Sequence, residues 1–203
     1  MMQPDLSREE EARIALRARQ GAGARYDSPH APAAELLLAR RGAAYFARKL
    51  NELNDFALDA ESLFPGIGRR LIVSHVGYQA RGLARVAEAA RNGQVEESLG
   101  DPDQEPDDIR FGASLPSHAL RYLFDHSQTH LNVAWRDLKD KDWDRTVRTL
   151  DGQATTPRTT VRERAMTVWL SAVALGNGGV LRDLPPEVRP ATLELKLLNL
   201  RNF

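Results

Sequence analysis

The sequence predicts a mainly α-helical protein, an antiparallel four-helix bundle with a small hairpin and short terminal helices. Three observations predict it. Four long stretches repeat apolar residues at helical spacing. One long, acidic, proline-bearing crossover separates the second stretch from the third. Strand-like patterning is confined to a single short stretch.

The elements follow in order. Ser7 is an N-cap candidate, and Glu9, Glu10 and Glu11 favour a helix dipole, so a short helix is expected to about Gln20. Gly21 to Gly23 ends it, and Asp27 to Pro32 reads as a linker. The first long helix is expected from Ala33 to Asn54, with Leu37, Ala44, Ala47, Leu50 and Leu53 on one stripe. A second runs from Gly68 to Asn92, carrying Leu71, Ile72, His75, Val76, Gln79, Leu83 and Val86 at helical spacing, and Gly93 closes it. Residues 94–112 read as an exposed acidic loop, or as a lid over a site. A third helix is expected from Leu115 to Leu138. Val147, Thr149 and Leu150 around Gly152 suggest a hairpin. A fourth helix spans Thr160 to Leu175, and a last one Pro185 to Leu200.

Bulk composition narrows the class. At 203 residues, one domain with terminal appendages is expected: an N-terminal helix and linker over 1–32, the bundle over 33–180 and a C-terminal helix over 181–203. Twenty-eight basic residues balance 28 acidic ones, which argues against a broad surface for nucleic acid or anionic lipid. There is no cysteine, hence no disulfide, thiolate metal site or cysteine nucleophile. The opening residues show no signal-peptide core, and no run approaches the roughly 18 apolar residues of a membrane span. A cytoplasmic location is the expectation. Ile14 and Leu16, with Leu195, Leu197, Leu198 and Leu200, could serve a homodimer interface.

Three blocks of sequence carry a resemblance. They are Ser62-Leu63 with Pro65-Gly66 and His75; Tyr122 to Ser127 with Val133 to Arg136; and Val173 to Gly176 with Asp183 to Pro186. Together they resemble the mycothiol-dependent maleylpyruvate isomerase family of the DinB-like superfamily, over about Leu36 to Val188. The resemblance implies a DinB-like four-helix bundle, a small-molecule substrate and mycothiol as a thiol cofactor. It also implies a zinc ion held by the histidine at His75 and by a glutamate and a histidine four residues apart on a later helix. Those two positions are Thr167 and Ser171 here. The family's tryptophan and aspartate correspond to Ile67 and Ala174, and the arginine often found just before the glutamate corresponds to Arg164. About 20 residues follow the Asp183-Leu184-Pro185 turn, so the family's C-terminal α/β domain is expected to be missing.

The departures fall on the chemistry. A catalytic zinc takes three protein ligands and one open position. Neutral hydroxyls bind it poorly beside imidazole and carboxylate, so zinc is not expected. His126 and His130 are four apart on the third helix and, with His75, would form a relocated metal site serving a thiol transferase. A metal-free enzyme is the main expectation. In it His75 acts as general acid or base for an isomerisation or other proton transfer, with Thr167 and Ser171 as polar partners. Tyr78, Gln79, Arg81 and Met166 would line the same cavity. Arg69, Arg70, Arg81 and Arg85 read as a solvated face, or as an anchor for a carboxylate. The alternative is a non-catalytic binding or interaction protein that keeps the cavity, with His75 a core residue held by Ser171 or Thr167.

Overall fold

A computed structural model describes residues 26–93, 106–148 and 154–194. The helices are α1 (Ala33–Asn51), α2 (Asp55–Leu58), α3 (Arg69–Asn92), α4 (Pro106–Ser114), α5 (Ser117–Asp137) and α6 (Pro157–Ala174). A two-stranded antiparallel ladder joins β1 (Val147–Arg148) to β2 (Ala154–Thr155), with Val147 opposite Thr155. The expected hairpin is therefore present, and its turn lies outside the described residues. The expected helix over Ser7 to Gln20 and the leucines beyond Glu194 also lie outside them.

Four helices make the bundle. α1 packs along α6, α3 along α5, and α3 also against α6, whereas α1 only grazes α5. The order around the bundle is thus α1, α6, α3, α5, which sets α5 and α6 diagonally across the axis. α1 and α5 meet through an aromatic pair, the Phe46 and Phe124 rings 5.0 Å apart and tilted. Trp135 and Trp143 are fully buried.

α3 and α6 run antiparallel, and Arg69 fixes their ends. At the start of α3 its guanidinium donates to Leu175 O (2.7 Å) and Gly176 O (3.2 Å), just past the end of α6. It also donates to Ala57 O at 2.7 Å. Carbonyls of two helix ends are satisfied by one side chain. Arg70 likewise bonds Asp59, Leu115 O and Ser117. These two arginines hold the scaffold together and are not a solvated face.

Several boundaries shift for local reasons. α6 starts at Pro157, earlier than Thr160, because Thr156 caps it by accepting from Thr159 N and proline suits a first turn. α3 ends where Gly93 takes φ of 76°. The last expected helix, from Pro185, is corrected to a 3-10 turn at Pro186–Val188, and residues 189–194 are not helical. Pro190 withholds an N–H and pushes Arg189 into extended backbone (φ −85°, ψ 109°).

The exposed loop over 94–112 is corrected in its second half. Pro106 to Ser114 form α4, with Asp107 and Asp108 in its first turn. Ile109 is buried, and its carbonyl accepts from Ser74 Oγ of α3 at 2.7 Å. Gly112 makes this docking possible. A Cβ there would overlap Ser74 Oγ and lie 2.5 Å from Tyr78 Cε2. Gly112→Ala should therefore cost about 1–3 kcal/mol through overpacking. A urea midpoint unchanged from wild type would show that α4 docks more loosely than this.

The linker before α1 is docked. Asp27 takes a bidentate pair from Arg40 at 2.5 and 2.7 Å, and Trp143 Nε1 donates to Ser28 Oγ at 3.0 Å.

Candidate functional site

The middle of the bundle is unusually polar. α3 contributes His75 and Gln79, α5 contributes Ser127 and Gln128, and α6 contributes Arg164, Thr167 and Ser171; all are buried. On α3 the spacing His75 to Gln79 places both on one face, and on α6 the spacing Arg164, Thr167, Ser171 does the same.

Arg164 organises the cluster. Its side chain is fully buried. Nη1 donates to Val76 O (2.7 Å) and to Gln79 Oε1 (2.9 Å), and Nη2 donates to Gln128 Oε1 (2.7 Å). Gln79 passes the chain on, donating from Nε2 to Thr167 Oγ1 at 2.7 Å. Arg164 leaves α6 and bonds α5 on the diagonal, so the guanidinium crosses the bundle axis. Every one of these acceptors is neutral. Burial accordingly lowers the guanidinium from its ordinary range to about 9, with desolvation the cause.

His75 lies one helical turn before Gln79. α3 and α6 are antiparallel, with Arg69 at Leu175 and Gln79 at Thr167. His75 therefore falls between those two levels, close to that of Ser171. The expected triad of His75, Thr167 and Ser171 is thus buried on facing helices. Thr167 is engaged by Gln79, and Ser171 Oγ has no hydrogen-bond partner among the described residues.

The other expected lining residues divide. Gln79 joins the cluster. Tyr78 and Arg81 belong to a different face of α3. Tyr78 meets α4 near Gly112, and the Arg81 guanidinium lies 5.4 Å from the Tyr78 ring centroid. Met166 is partly buried against the apolar core. His126 is exposed and stacks on Tyr122 at 5.5 Å. His130 Nε2 bonds Glu88 at 2.7 Å. His75 is inside, so the structure does not gather the three histidines. Among the described residues, no group of three or more His, Cys, Asp or Glu is placed to hold a metal.

A zinc ion fits this donor set badly. Of the three positions that the resemblance assigns to the metal, only His75 offers a strong ligand. Thr167 and Ser171 offer neutral hydroxyls, and the Arg164 guanidinium is tied into the same cluster. A fixed cation disfavours a second cation nearby.

Sequence reasoning missed Gln128 and Ser127. Both sit in the stripe of α5 between Phe124 and Leu131, where a buried glutamine needs a partner. That misfit in an apolar stripe was the available signal.

A mainly helical bundle of this order, with one small two-stranded ladder, defines the class: it has the DinB-like helical fold. Within that class the chain belongs to the mycothiol maleylpyruvate isomerase N-terminal domain family, whose model matches residues 39–175. It is similar to the crystal structure of the mycothiol-dependent maleylpyruvate isomerase, at 30% identity and a TM-score of 0.70, over 76% of this chain and 64% of that one. A histidine-to-alanine mutant of that isomerase matches at 31% identity, with the same TM-score and coverage. The chain thus spans under two thirds of these relatives. No curated protein sequence matches it. Among the described residues, no helix is long and apolar enough to cross a membrane.

Proposed function

We propose that this protein is a diverged member of the family that catalyses isomerisation or another proton transfer on a small organic substrate, without a resident zinc. His75 is the acid–base group, and Thr167 and Ser171 are its hydroxyl partners. The observation that carries the reading is the polar interior itself. It has one imidazole, three hydroxyls and a fixed cation where a structural core would be apolar.

In an isomerisation the imidazole takes a proton from one substrate atom and returns it at another. The atoms balance, and no oxidant or reductant is needed. Imidazole suits the role because its ordinary pKa lies near neutrality. Ser171 can donate to an oxygen that gains charge. The similar solved enzyme is described as mycothiol-dependent, so mycothiol is the thiol to supply in assays. Maleylpyruvate is the first substrate to try.

The test joins metal content to turnover. Tag-free protein, with divalent metals added back, should carry no stoichiometric zinc. His75→Ala should lower turnover of maleylpyruvate by roughly 10²–10⁴-fold while the helical spectrum is kept. Unchanged turnover in that variant would remove His75 from the chemistry, and stoichiometric zinc would restore a metal-centred reaction.

One observation favours a second reading, a non-catalytic ligand-binding protein. Thr167 is already spoken for by Gln79, and Gln79 by Arg164, so part of the cluster is satisfied from within. In that case wild type binds small molecules without turning them over.

A further inference from the structure

Arg164 carries a positive charge at the bundle axis, and none of the groups it bonds carries a negative one. A guanidinium has five N–H groups. Nη1 uses both of its own, on Val76 O and Gln79 Oε1, and Nη2 uses one, on Gln128 Oε1. One N–H on Nη2 and the N–H on Nε remain, and Nε has no partner among the described residues. Those two nitrogens are bonded to the same carbon. They form the edge a carboxylate grips with both oxygens.

Two hydroxyls share the condition. Ser171 Oγ and Ser127 Oγ are fully buried and without hydrogen-bond partners among the described residues. Ser171 stands seven positions after Arg164, on the same face of α6, and Ser127 precedes the glutamine that Arg164 bonds. Each of these three groups can donate, and none has an acceptor among the described residues. Isolated buried charge is costly, and hydrogen bonds to neutral amides offset only part of that cost. The desolvation that lowers the guanidinium reports the same imbalance.

We infer that the bundle interior is an anion-binding site, in which Arg164 Nε and Nη2 grip a small anion of carboxylate type and a buried serine hydroxyl donates to it. Such a ligand is acceptor-only and supplies the missing negative charge. It comes either as a free small anion or as the carboxylate end of a larger organic molecule. The chemistry at Arg164 is the same for both. The inference shares its cluster with the proposed function, but binding here needs no turnover.

The experiment uses the full chain and two probes, formate for a free anion and pyruvate for a larger carboxylate. Ionic strength is held constant with a bulky sulfonate salt, and no other carboxylate is present. Calorimetry measures binding, and the arginine Nε–H resonances are followed by NMR. Saturable binding of formate, with a shifted Arg164 Nε–H, supports the site and a free anion. Binding of pyruvate alone supports the site and a ligand carboxylate. Arg164→Met should abolish the binding. Ser171→Ala, a smaller change that keeps the fold if Arg164→Met does not, should weaken it about tenfold. Binding is read without turnover, so failure of the acid–base role and failure of this inference are distinguished. No saturable binding of either probe overturns the inference. So does binding that is equal in Ser171→Ala and leaves the Nε–H resonance unmoved.

Discussion

Arg164→Ala is expected to destabilise the protein by about 3–5 kcal/mol, the largest single effect in the bundle. Val76 O falls back on its bond within α3, and two buried amide oxygens, Gln79 Oε1 and Gln128 Oε1, lose their donor. Each costs roughly 1–3 kcal/mol when left unsatisfied. Truncating a fully buried long side chain also leaves a cavity. Relief from burying a charge offsets part of this but not all. For a chain of this size the melting temperature should fall by on the order of 10 °C. Arg164→Met fills the space without the charge and should cost less. If Arg164→Ala melts with wild type, the guanidinium is not the hub of the cluster.

The charge also gives a signed pH dependence. Burial lowers the folded-state value to about 9, below the unfolded one. The folded protein therefore holds this proton less tightly than the unfolded chain. The penalty for burying the cation is fully present below the lowered value and shrinks as pH rises through it. Wild type should gain stability relative to Arg164→Met between about pH 7 and about pH 10. A constant difference in urea midpoints across that range would contradict the desolvation account.

The double variant Thr167→Glu with Ser171→His is expected to bind one zinc ion. The two positions are four apart on one face of α6, and His75 lies at their level on α3. The variant would supply three protein ligands and leave an open position. The new carboxylate would also stand three residues from Arg164, where it compensates the buried cation. Metal analysis of tag-free protein should read near one zinc per chain in the double variant and none in wild type. A folded double variant without zinc would mean that positions 167 and 171 do not converge on His75.

Much of the scaffold was legible in the sequence because each long helix announces itself twice. α3 has its apolar spacing and Gly93, whereas the stripe expected for α1 is corrected: Leu37 and Ala44 are exposed, and Leu36, Ala39, Ala43, Phe46 and Leu50 face the core. α4 was not legible, because Pro106, Asp107 and Asp108 are loop residues by composition and helix starters by position. The choice depends on Ile109 finding the groove over Ser74, a tertiary fact. The polar positions of the candidate site were legible only as positions that would be buried together. His75, Gln79, Thr167 and Ser171 do share the interior. Tyr78 is near His75 in sequence yet turns toward α4, and Arg81 lies over its ring, which only the packing of the helix decides. The role of Arg164 was not legible, since a lone arginine on a helix looks solvated until its neighbours are known.

The pairing of α1 with α6 has a kinetic consequence. α1 ends at Asn51 and α6 begins at Pro157, so α1 is synthesised about 100 residues before the helix it lies against. The linker contacts span as far, Ser28 meeting Trp143 and His30 meeting Arg158. Closing so large a loop carries an entropic cost that only completed packing repays. α3 and α5 are nearer in the chain and can dock first. During translation α1 therefore leaves the ribosome with its apolar stripe unmatched and stays a client for chaperones until α6 emerges.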